Sequence, residues 1–183
     1  MDTLNSRSSA LVLVDYQERL MPMIPEGSAA VQRGVFLART AQILNIPVLG
    51  TEQNPARLGP NAAELKALCS KTLAKTHFDA FEDGLLAALH QAHPAPDQVV
   101  LAGCEAHVCL LQTALGALRA GLRVWVVGNA CGSRRASDHA AALQRLAQAG
   151  ATVVTHEMAA FEWLHHCEHP RFREVLALIK ALD

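Results

Sequence analysis

The stretch Val99-Val-Leu-Ala-Gly-Cys-Glu-Ala-His-Val-Cys109 decides the fold. An apolar run without a charge ends at Gly103, crosses the short turn of residues 104–107 and enters a helical pattern whose first turn holds Cys109. A strand that is apolar on both faces and passes directly into a helix reads as a parallel β–α unit with both faces of the sheet covered. The rest of the chain repeats the unit. Apolar runs at 10–14, 46–50, 122–127 and 151–155, with a weaker sixth at 72–75, alternate with helical patterns at 29–44, 81–90, 108–120 and 139–149. Gly150 stands where the last of these helices needs its C-terminal cap. The alternation predicts an α/β fold on a parallel sheet. Pro and Gly punctuate loops rather than marking a linker, and no repeat or low-complexity block interrupts the pattern, so residues 1–183 are expected to form one domain.

Length and composition agree with this and exclude several functions. A chain of 183 residues can bury a full core without disulfides or a structural metal. A net charge of −1 argues against partners held by general electrostatics, so neither nucleic acid nor an acidic membrane is expected. The five cysteines are odd in number and scattered through apolar segments, which implies no disulfide framework. The first ten residues do not read as a signal peptide, and no apolar run approaches the ~20 residues of a membrane span. A cytoplasmic location with reduced thiols is expected. Charged residues make up 18% of the chain and hydrophobic ones 51%, against a usual charged share of about 25%. Helices on both faces of a sheet absorb part of that apolar excess. The rest, in the Ala- and Leu-rich stretches 110–122 and 140–149, is the expected contact of a homo-oligomer.

Ligands of open parallel sheets bind beyond the carboxyl ends of the strands. The first strand ends in Asp15, the weak third in Lys75, and the fourth leads to Cys109. A thiol at a helix N-terminus beside an ammonium is expected to favour the nucleophilic thiolate. A carboxylate next to both could take the thiol proton and later give it to a leaving group, while turn N–H groups stabilise an oxyanion. Taken singly, each residue has an ordinary explanation: an inert buried Cys, a carboxylate cap, a solvated Lys. Their meeting at three strand ends points to covalent hydrolysis.

The segments Leu11-Val-Leu-Val-Asp-Tyr-Gln17, Leu73-Ala-Lys-Thr-His-Phe78 and Gly103-Cys-Glu-Ala-His-Val-Cys-Leu-Leu-Gln-Thr-Ala114 resemble, in order and spacing, the three signatures of the isochorismatase-like cysteine hydrolases. Thr51-Glu-Gln-Asn-Pro55 and Leu58-Gly-Pro60 are similar to the branch of isochorismatase domain-containing proteins. The resemblance implies a three-layer α/β/α sandwich with a mostly parallel, Rossmann-like six-stranded sheet. It also implies a catalytic triad of Asp15, Lys75 and Cys109, with the thiol attacking a small amide, imide or vinyl-ether-type substrate to give a thioester-type intermediate. A non-proline cis peptide between Cys104 and Glu105 is implied as well, and with it an oxyanion hole formed by the backbone N–H groups of Glu105 and Cys109. Nicotinamidase members of the family hold a metal through an Asp and two His after the second strand. This chain offers Thr51-Glu-Gln-Asn54 there, so no metal is expected.

Gln17, Gln53, Asn54 and His107 are expected to rim the same edge and to line the substrate site. His165-His-Cys-Glu-His169 looks like a ligand run, with His165 and His169 sharing a helical face if the segment is helical, but it lies past the last strand and reads better as a solvated or interface cluster. No glycine-rich phosphate loop occurs, and no cofactor is expected. Two alternatives stay open: a catalytically quiet interaction protein on the same fold, and a thiol redox protein working through Cys104 and Cys109.

Overall fold

The computed structural model describes residues 3–91 and 95–182. The first two residues of the N-terminal segment read above, and Asp183 at the far end of the expected domain, lie outside the described residues. Six strands form the sheet: β1 (Ser9–Val14), β2 (Val48–Gln53), β3 (Lys71–Lys75), β4 (Gln98–Gly103), β5 (Arg123–Val127) and β6 (Thr152–Val154). Their order is β3-β2-β1-β4-β5-β6, and all five ladders are parallel, where the family resemblance implied a mostly parallel sheet.

The helices are α1 (Gly27–Ile43), the short α2 (Pro55–Leu58) and α3 (Ala63–Lys66), α4 (Leu85–His90), α5 (Leu111–Arg119), α6 (Ala136–Gln148), α7 (His156–Leu164) and α8 (Phe172–Lys180). Alternating residues of β1 feed two cores. Leu11 and Leu13 pack with Phe36 and Leu37 of α1, Trp163 of α7 and Val175 of α8. Ala10, Val12 and Val14 pack with Leu89 of α4, Ala114 of α5 and Leu146 of α6. This two-sided burial is why the strands read as continuous apolar runs, and it makes the three layers.

Several boundaries moved for identifiable reasons. The second strand does not stop at Gly50 but runs to Gln53, because Thr51, Glu52 and Gln53 pair in register with Leu73, Ala74 and Lys75. The helix expected over 81–90 starts at Leu85, after Gly84 at φ 93°. The one expected from Val108 is a π turn over Ala106–Leu110 before α5 begins. Gly150, at φ 103°, donates to the Ala147 carbonyl and ends α6 as anticipated. Past β6, Thr155 caps α7 by accepting from the Met158 N–H. That helix ends at Leu164, and His165 takes φ 66°, so His165 and His169 do not share a helical face. The expected contact helices α5 and α6 pack into the core, leaving Leu115, Leu118, Leu122 and Leu143 partly buried against it.

Candidate active site

The strand order places a switch point between β1 and β4, where connections leave in opposite directions and open a crevice at the carboxyl end of the sheet. Asp15 follows β1 at φ 51° and is fully buried. Lys75 closes β3, and the turn after β4 carries Cys109, 6% exposed, in its π turn. The structure therefore brings Asp15, Lys75 and Cys109 together at the carboxyl end of the sheet.

The Lys75 ammonium lies 2.7 Å from Asp15 Oδ2, and neither side chain is exposed. It also donates to Gln53 Oε1 at 2.6 Å and reaches the carbonyls of His77 and Phe78 at 3.4 and 3.5 Å. Held by four acceptors, it is a fixed cation rather than a mobile one. The second Asp15 oxygen, Oδ1, accepts from the Thr51 hydroxyl at 2.7 Å. Cys109 Sγ faces the Asp15–Lys75 pair and lies 3.8 Å from Gln53 Oε1.

Sequence reasoning expected this thiol to be acidic, and the structure corrects that. Burial, and next the Asp15 carboxylate, push the Cys109 thiol up to about 12, with Lys75 opposing them only in part. The thiol is protonated at rest, so a nucleophile forms only as its proton leaves for a neighbouring base.

The Cys104–Glu105 peptide is cis. The Glu105 N–H meets no protein acceptor among the described residues. The loop after β5 is stitched over this turn. Ala106 N–H donates to the Gly132 carbonyl at 2.7 Å, Gly132 N–H to the Gly103 carbonyl, and His107 Nδ1 lies 3.0 Å from Ser133 Oγ. Both the backbone N–H and Nε of Arg134 donate to Glu105 Oε1, at 3.1 and 2.9 Å, and Arg134 holds the Glu105 carboxyl below its usual range against the opposing effect of burial.

The four expected rim residues differ in placement. Gln53 sits between Lys75 and Cys109, its Nε2 donating to the Thr76 carbonyl. Gln17 is fully buried, and its amide is spent on backbone: Nε2 donates to the carbonyls of Gln53 and Gly59, and Oε1 accepts from Gln53 N–H. Asn54 is exposed at the start of α2, and His107 is half-buried between Ser133 and Asp138. A cleft of about 480 Å3 is lined by residues that include Thr76, Phe78, Gln112 and Arg119, and none of the triad residues lines it. Among the described residues no three His, Cys, Asp or Glu side chains converge where a metal ion could sit.

Sequence reasoning missed the grip of Thr51 on Asp15, the contact of Ser133 with His107 and the pairing of Glu105 with Arg134. The one signal available was a polar Thr-Glu-Gln run continuing an apolar strand.

The sequence profile of the isochorismatase domain matches residues 9–158. The chain is 35% identical over 176 residues to isochorismatase domain-containing protein 2 of Danio rerio, covering 96% of this chain and 89% of that protein. Among solved structures it superposes on the MAR1 ribonuclease of Caenorhabditis elegans with a TM-score of 0.92 at 34% identity, covering 98% and 93% of the two chains. The Escherichia coli YcaC gene product, an octameric hydrolase of unknown specificity, matches with a TM-score of 0.85 at 25% identity over 100% of this chain and 98% of that one.

Proposed function

Since the chain belongs to the isochorismatase family of hydrolases, we propose that it is a single-domain, cofactor-independent cysteine hydrolase acting in the cytoplasm on a small amide, imide or vinyl-ether-type substrate, with Asp15, Lys75 and Cys109 as its catalytic residues. The observation that supports this most is the fully buried Lys75–Asp15 pair, 2.7 Å apart, facing Cys109 at the switch point of the sheet. In the amide case, Asp15 takes the thiol proton as Cys109 Sγ bonds to the carbonyl carbon. The N–H groups of Glu105 and Cys109 hold the oxyanion. The C–N bond then breaks as Asp15 returns the proton to the leaving nitrogen, giving a thioester. Asp15 next deprotonates a water that attacks the thioester, and the thiol leaves with that proton. Lys75 balances the charge throughout. Gln53, Asn54 and His107 line the substrate path, while Gln17 shapes it by clamping Gln53.

Cys109→Ala, screened beside the native enzyme against a panel of small amides, imides and enol ethers, tests this reading. Turnover by the native enzyme that is lost in the folded variant supports it. Turnover that survives refutes Cys109 as nucleophile, and cleavage of RNA, with no small molecule accepted, overturns the substrate class. The octameric YcaC relative and exposed apolar side chains such as Phe78, beside the cleft, support assembly as a homo-oligomer.

A further inference from the structure

We propose that Thr51 is a positioning residue that sets how one proton is shared between Asp15 and Cys109. Its hydroxyl donates to Asp15 Oδ1 at 2.7 Å, and it is fully buried. Its own backbone cannot drift, because its carbonyl accepts from the Asp15 N–H at 3.2 Å and from Asn61 Nδ2 at 2.9 Å, while Asn61 N–H is tied to Glu52 Oε1. Thr51 thus grips Asp15 by both main chain and side chain on the strand beside β1.

The division of labour between the two carboxylate oxygens follows. Oδ2 faces the Lys75 ammonium and Oδ1 faces the Thr51 hydroxyl. The charged or ionisable groups around Asp15 are Lys75 from β3, Cys109 from the π turn and Cys104 from the end of β4. Of the groups that hold the carboxylate, Lys75 acts through charge and Thr51 through an uncharged hydrogen bond. A donor to a carboxylate favours its ionised form. The Thr51 hydroxyl therefore keeps the proton on the Cys109 sulfur at rest and leaves Asp15 ready as base. Removing it moves the balance toward protonated Asp15 and thiolate.

This inference rests on Asp15 being the proton acceptor, as read above, and its test needs no substrate. The rate at which iodoacetamide alkylates Cys109 is followed across pH by peptide mass spectrometry in the native protein, Thr51→Val, Thr51→Ser and Asp15→Asn. In the native protein the rate falls at acid pH from a plateau set by how the proton is shared. In Thr51→Val, which keeps the shape and loses the donor, that acid limb moves up by about one to two pH units. The plateau above it rises about ten-fold to a hundred-fold, because thiolate is more populated. Loose packing alone would not raise the plateau and shift the limb together. Thr51→Ser, which restores the hydroxyl, returns both close to native. A Thr51→Val profile that superposes on the native one, or a Thr51→Ser profile that follows Val, overturns the role of Thr51 and leaves the triad standing. A plateau that persists in Asp15→Asn, where an unassisted thiol would instead lose thiolate steadily as pH falls, removes Asp15 as the acceptor, and the Thr51 inference with it.

Discussion

Replacing Lys75 by Met tests the structure most severely, because it removes a charge and keeps a side chain of similar length in the same buried slot. Both partners of the Lys75–Asp15 pair are inaccessible to water and 2.7 Å apart. Without the ammonium, Asp15 Oδ2 loses its partner while Oδ1 keeps only the Thr51 hydroxyl. Gln53 Oε1 loses its donor as well. Breaking a buried ion pair from one side costs about 3–5 kcal/mol, most of it the uncompensated charge left behind. At about 1.4 kcal/mol per decade that is a loss of roughly a hundred-fold to several-thousand-fold in the folding equilibrium. For a chain of this size it corresponds to a fall of about 6–20 °C in Tm. Trp125 and Trp163 are both buried, so urea denaturation followed by tryptophan fluorescence reads it directly. The double variant Asp15→Asn with Lys75→Met removes both charges and should recover at least about 1 kcal/mol of the single variant's loss. A Lys75→Met protein within about 0.5 kcal/mol of native would refute a dry, mutually dependent pair. So would a double variant whose loss equals the sum of the two singles.

Three further outcomes follow from the same physics. Burial pushes the thiols of Cys109 and Cys131 up to about 12 and that of Cys69 to about 11, against about 9 for a free thiol, so the folded state holds protons that the unfolded chain releases. The share of stability that depends on these thiols should be level below about pH 8 and fall above pH 9 by about 1.4 kcal/mol per pH unit for each such thiol. A urea midpoint unchanged up to about pH 10.5 contradicts that sign. Gly103 lies at φ 150°, and a Cβ there would run into the Val14 carbonyl, to which the Cys104 N–H must donate at 2.9 Å. Gly103→Ala should therefore lose soluble, cooperatively folding protein, and a native-like melting curve would be the contrary result. In sedimentation equilibrium at micromolar concentration the protein should weigh a multiple of one chain, and a monomer mass would exclude the proposed assembly.

Some of this was legible in the chain. Val99 to Gly103 and Ala10 to Val14 are apolar at every position because both faces of β4 and β1 are covered, and that pattern announces a parallel sheet wherever it occurs. Given a parallel sheet, the residues that end its strands lie on one edge, which is how Asp15, Lys75 and Cys109 could be picked out with no coordinates. The end of β2 was not legible. Thr51, Glu52 and Gln53 are polar residues inside a strand, and their polarity is absorbed by Asp15, Asn61, Lys66 and Lys75, which are distant in sequence.

Sequence by itself determined the type of each element, and so the sheet, its coverage and the edge where chemistry can occur, because a strand covered on both faces is apolar at every position while a helix repeats its burial every 3.6 residues. Only the tertiary structure decided which oxygen of Asp15 faces Lys75 and which faces Thr51, that Glu105 is gripped by Arg134, and that the Cys109 thiol is held protonated rather than made acidic. Those facts depend on which strands lie side by side and on how much water is left between their ends. Hydrogen-bond distance and desolvation act through space between residues dozens of positions apart, and no local pattern records them.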